Sequence, residues 1–342
     1  VSYAIGKDLL HLRPVERPGH VLYCTHEALR ARVLRDTGLS LEDAWECDLI
    51  CDTDDGPRPW SELGRVTDMG HAEFLAGGKD LRTPGACPFP TVAEARAFNA
   101  VQEYGLTDLN TLTAYYEKMH RQARQAHPNQ VVTGGYYKTL FSGALEIFGW
   151  DMLLRLAADQ DAFEAVLESI FEVSLRHCAA WANTDIEAFL LHDDMVWAQG
   201  PFMDPAFHRR VAFPRYAKIV RMMHEAGKTV LFCSDGNWTC FIDDVAATGA
   251  DGFVFESAVP LDTMATRFGR SHVLVGSAVD CRTLTFGTRG AIRAEIDATL
   301  EAARACSGFF IAVGNHIPSN VPVENALFYA NYLRAQWVRN TT

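Results

Sequence analysis

TVLFCSDGN, residues 229–237, runs from four apolar or β-branched positions into Cys233 and then turns on Ser234, Asp235, Gly236 and Asn237. A short, unbroken run of this kind reads as a strand buried on both faces, and its polar tail delivers a thiol and a carboxylate to the strand's C-terminal end. Similar runs recur along the chain: HVLYCT (20–25), CDLICD (47–52), NQVVTGGYY (129–137), EAFLLHDD (187–194), DGFVFES (251–257), SHVLVGSAVD (271–280) and GFFIAVGNH (308–316). Helical patterns separate the later runs. Phe163, Val166, Leu167, Ile170, Phe171 and Val173 mark one apolar face, and Phe207, Val211, Tyr216, Ile219, Val220 and Met223 mark a second, which Gly227 stops. Ile292, Ile296, Leu300 and Ala303 mark a third. Buried strands alternating with helices define an α/β protein, and the economical closure is a (β/α)8 TIM barrel occupying residues 1–342 as one domain. An open doubly wound sheet is the alternative, but no GxGxxG or Walker A motif sits at a strand–helix junction.

The interval 53–128 exceeds an ordinary crossover. It holds most of DTDDGPRPW (52–60), a Gly-rich stretch around LAGGKD (75–80), and Pro84, Pro88 and Pro90 before a helix starting near Thr91. This spacing predicts an insertion over the barrel mouth, built as a hairpin plus a helix.

Bulk composition narrows the function classes. The formal charge of −12 argues against a nucleic-acid partner, which requires clustered Lys and Arg. No apolar run approaches the ~20 residues of a membrane span. VSYAIGKDLLHLRP lacks the charged and apolar regions of a signal peptide, and the nine cysteines show no paired framework, which together point to reduced thiols in the cytoplasm.

Chemistry in such barrels gathers at the C-terminal ends of the strands. Those ends carry His192, Asp193 and Asp194; Cys233 and Asp235; Glu256; Asp280; and Asn315 and His316. Each alone has a plain structural alternative: an Asp or Ser after a strand caps the next helix, and a lone Cys packs in the core. Together they predict one focus, because burying so many polar groups is costly without partners. Tyr136, Tyr137, Trp197, Phe202 and Trp238 lie near the same ends and could line a site for a flat substrate, with core or loop packing as the alternative.

The pieces DD (193–194), SDGN (234–237), GADGFVFES, VGSAVD and GNHIPSNVPVEN keep an order and spacing that resembles the uroporphyrinogen decarboxylase superfamily. The looser likeness spans about residues 20–335. Its members are (β/α)8 barrels and include cobalamin-dependent methyltransferases acting on methylated or methoxylated compounds. The Arg-rich RQAGRY motif that grips propionates in true uroporphyrinogen decarboxylases is missing, since the equivalent region reads RPGHVLYCTHEALRARV. The resemblance therefore implies an O-demethylase-type methyltransferase that passes the methyl group to a separate corrinoid protein carrying cobalamin. No DxHxxG cobalamin motif occurs in this chain.

The methyltransferase branch carries zinc on His-x-Cys after strand five and Cys after strand eight, with a Glu after strand six in related enzymes. Here those slots hold Cys233, Asp235, Glu256 and Asn315-His316. The resemblance implies Zn²⁺ on Cys233, Glu256 and His316, with Asp235 as a fourth ligand or just behind. Asp194, His192 and Asp235 are then the catalytic residues, and Tyr136, Trp197, Trp238 and Asn315 contact the small-molecule substrate. Because only Glu256 keeps the family's usual residue, a metal-free acid–base site stays open. So do a decarboxylase or lyase acting on a small acid and a non-catalytic ligand-binding barrel. Monomer and homodimer are both open at this level.

Overall fold

The structure, a computed structural model, describes residues 2–57, 67 and 85–339. Among the described residues nine strands form: β1 (Gly19–His20), β2 (Leu49–Ile50), β3 (Val131–Val132), β4 (Gly134–Tyr136), β5 (Ala188–His192), β6 (Thr229–Cys233), β7 (Gly252–Val254), β8 (Val273–Asp280) and β9 (Gly308–Gly314). Seven make one parallel sheet in the order β1-β9-β8-β7-β6-β5-β4, and β2 pairs with β3. The ring closes through a parallel bridge from Val21 to Leu49 and through the chain continuity of β3 and β4, which Thr133 separates. The run 129–137 is thus one barrel position split in two. The Thr133 N–H reaches Ile50 O at 3.0 Å, while its hydroxyl accepts from the Asp52 N–H at 2.9 Å. This is the (β/α)8 architecture read from the sequence.

The pleat sorts side chains into two layers. Ala188, Leu190, Leu231, Cys233, Val254, Val273, Val275, Phe310 and Ala312 fill the lumen. Phe189, Leu191, Val230, Phe232, Phe253, Leu274 and Phe309 face the helices. Below the lumen, the helix Ser2–Leu10 seats Ile5, Leu9 and Leu10 against the barrel floor. Gly6 permits this approach, because a Cβ there would lie 2.3 Å from Asp48 O.

The amphipathic faces read from the sequence fall in the helices Gln160–Ala182, Pro205–Glu225 and Arg289–Ala303, with those residues buried. Asp204 caps the second of these and Pro205 opens it, the arrangement that a fixed φ and a missing donor favour. Gly227 follows it at φ 72°. In the long interval, Thr91 caps a short helix, Val92–Arg96; Ala100–Tyr104 is another, and Leu109–Ala126 is the crossover helix. Val101 and Tyr104 pack on the outer core rather than over the lumen. The predicted hairpin and LAGGKD lie outside the described residues. Among the described residues no helix is long and apolar enough to cross a membrane.

Candidate functional site

A cavity of about 290 Å³ opens at the C-terminal ends of the strands, lined on one side by Tyr137, Lys138, Asp55 and His192 and on the other by Asp235, Glu256 and Asn315. Cys233, Tyr23, Val254, Phe255, Val275, Ala312 and Val313 complete the lining. The pleat explains the selection. His192 and Cys233 are register partners on β5 and β6, each two residues beyond a lumen-facing Leu190 or Leu231. Asp235 and Glu256 follow the inward Cys233 and Val254 at the same spacing.

Asp193 and Asp194 separate at this edge. Asp193 is fully buried and accepts from the N–H groups of Phe141 (3.1 Å) and Ser142 (2.8 Å) and the hydroxyl of Tyr216 (2.5 Å). It holds the start of the helix Phe141–Ala157. Asp194 serves the cavity. Its Oδ1 accepts from the Asp235 N–H at 2.9 Å and lies 3.2 Å from His192 Nε2, and its Oδ2 accepts from Tyr137 Oη at 2.7 Å. Burial pushes the Asp194 carboxyl up, but the His192 charge and these hydrogen bonds outweigh it and hold the group below its ordinary value.

Asn315 joins the other two carboxylates. Its Nδ2 donates to Asp235 Oδ2 and Glu256 Oε1, each at 2.8 Å, and Glu256 Oε2 accepts from the Gly236 N–H at 2.9 Å. Asn315 adopts a left-handed φ of 66°, a conformation that Asn tolerates better than most side chains. His316 Nδ1 pairs with Asn315 Oδ1, which turns the amide so that its nitrogen faces the acids. Burial raises the Glu256 carboxyl despite its donors. Burial, then Asp235 and Asp194, push the Cys233 thiol well up.

Three readings of the sequence are corrected here. Tyr136 is fully buried on the helix side of β4, stacked on His177 with ring centroids 4.8 Å apart, because the inward position falls to Tyr137. Trp238 is also fully buried, its Nε1 donating to Ser234 O at 3.1 Å and its ring packed toward Phe232 and Phe253. Trp197 lies on the rim, 47% exposed beside Trp150, and does not line the cavity. Of the four substrate-contact candidates, Asn315 alone reaches the cavity. Lys138 and Asp55 were not picked out. Lys138 is buried in an ion pair with Glu146 and lies 3.4 Å from Asp55 Oδ2, and nothing local in the sequence marks a loop lysine as buried.

A family model described as uroporphyrinogen decarboxylase (URO-D) matches residues 86–336. The chain belongs to the uroporphyrinogen decarboxylase family. A uroporphyrinogen decarboxylase from Pelobacter propionicus is 23% identical over 168 residues, 49% of this chain and 47% of that relative, so the match spans about half the relative's length. A methyltransferase from Methanosarcina mazei shares the barrel, with a TM-score of 0.58, 16% identity, and coverage of 98% of this chain and 99% of that one.

The zinc set implied by resemblance to this family was Cys233, Glu256 and His316 with Asp235, and this structure does not gather it. His316 is 1% exposed and turned onto Asn315 rather than into the cavity. The left-handed step at Asn315 spends the inward position on the amide. A different trio does converge: one ligand atom each from His192, Asp194 and Asp235 lies within 4.8 Å of the others, the one such cluster among the described residues. Its donors are one imidazole and two carboxylates, a harder set than the thiolate sites of soft metals, and chemically fit for Zn²⁺ or another divalent cation.

Proposed function

We propose that this protein is a methyltransferase that removes a methyl group from a small methoxylated or methylated substrate and passes it to a separate corrinoid protein. The observation that carries the reading is the His192, Asp194 and Asp235 cluster at the edge of a small, mostly apolar cavity at the C-terminal ends of the barrel strands. A volume of about 290 Å³ is at the lower end of small-molecule sites. No arginine lines it among the described residues, which speaks against a polyanionic tetrapyrrole.

A divalent cation bound by the cluster would supply Lewis acidity toward the oxygen bearing the methyl group. The chain's own residues orient and move protons. Asp194 fixes the His192 ring. Asn315 holds the Asp235 and Glu256 carboxyl groups in place, and Glu256, whose carboxyl is raised by burial, is the group set to give a proton to the oxygen as its bond to the methyl breaks. Val254, Phe255 and Val275 exclude water from the apolar side.

The test is turnover of methoxylated and methylated compounds in the presence of reduced free cobalamin. Methylcobalamin is read by absorbance and the demethylated product by mass spectrometry. Stoichiometric growth of both, lost in Asp235→Asn, supports the reading. Demethylation that leaves cobalamin unmethylated, or no turnover across the panel, overturns it.

A further inference from the structure

The cavity wall carries far more acid than base. Asp55, Asp235 and Glu256 line it, Asp194 stands hydrogen-bonded to the Asp235 N–H and Tyr137 Oη, and Glu146 lies on the other side of Lys138. Against these five carboxylates stand Lys138 and His192. The Lys138 ammonium is already held by Glu146 and Asp55, and the His192 ring by Asp194. With the His192 ring neutral as its ligand, a divalent cation on the cluster would still leave negative charge in excess. An anionic ligand would enter this low-dielectric space against like charge.

Lys138 nonetheless has something to offer. An ammonium has three donors; one goes to Glu146, and Asp55 Oδ2 lies 3.4 Å away as an ion-pair partner. The nitrogen also sits 4.5 Å from the centre of the Tyr137 ring, so the group is fixed at the cavity edge by three partners. A neutral oxygen can accept a further N–H without adding charge. Val254, Phe255, Val275, Ala312 and Val313 offer apolar surface beside it.

We propose that the substrate is uncharged: a small, largely apolar molecule with neutral oxygen acceptors, one of them recognised by Lys138, with carboxylates excluded by the acidic wall. This rests on reading the cavity as the substrate site. The test compares two probes of equal shape, 3-methoxybenzyl alcohol and 3-methoxybenzoate, by calorimetry on the full chain at pH 8 and low salt, with and without Zn²⁺. The alcohol binds the wild type at least about tenfold more tightly in both conditions. Asp55→Asn, which keeps an acceptor for the Tyr137 N–H now bound by Asp55 Oδ1, narrows the gap. Equal or tighter binding of the benzoate overturns the proposal, as does a gap that Asp55→Asn leaves unchanged. If neither probe binds, the assignment of the cavity falls and the charge argument with it. Binding without any demethylation in the turnover assay would sink the methyltransferase reading alone.

Discussion

Asp193 and Asp194 are consecutive carboxylates whose surroundings assign them to different work. Asp193 satisfies two helix N–H groups and a tyrosine hydroxyl inside the wall. Asp193→Ala should therefore cost about 2–3 kcal/mol of stability, read as a lower urea midpoint. Asp194→Asn keeps an acceptor and should leave that midpoint near wild type, yet lower turnover on the order of a hundredfold. Metal affinity separates His192 from His316: titration with Zn²⁺ should weaken at least about tenfold in His192→Ala and stay unchanged in His316→Ala. An equal loss in both would restore the ligand set that the family resemblance implied. The strand-end acids were legible because the pleat's period of two can be counted along each run. His316 was not, since one left-handed residue reverses the count. Lys138 escaped because its burial depends on Glu146, eight residues on and in the next helix.

All eight apolar runs became barrel positions, but their lengths did not follow the ladders. HVLYCT supplies only His20 to β1, with two isolated bridges further on, at Val21 and Cys24. Val21 and Leu22 are buried all the same, at 0% and 7% exposure. Hydrophobic runs report burial, and pairing is a separate property that the pattern does not encode. The split between β3 and β4 was invisible for the same reason. The glycines that follow the split have a reason in packing. A Cβ on Gly135 would lie 2.6 Å from Asp52 O, in the backbone of the neighbouring strand's tail. Gly135→Ala should destabilise by about 1–3 kcal/mol, measured by urea unfolding, because backbone cannot yield as a flexible side chain does.

Across the whole molecule, two histidines link acid to unfolding. Burial holds His20 and His177 down to about 4, against an ordinary value of 6.5. The unfolded chain takes up protons near 6.5 and the folded chain only near 4, so stability is full above the first value and falls as pH drops between them. Each group contributes on the order of 3 kcal/mol across that window. Urea unfolding from pH 7.5 to 4 should show a shallower decline in His20→Gln than in wild type. Identical slopes would mean that His20 titrates normally in the fold. The barrel's circumference is also uneven: β8 and β9 share seven register pairs, whereas β2 and β3 share two, and one bridge joins β1 to β2. A closed ring opens where the fewest backbone hydrogen bonds must break together. In deuterium oxide, the amides of Val131 and Thr133 should exchange well before those of Leu274 and Ile311, marking a line along which the cylinder breathes without unfolding.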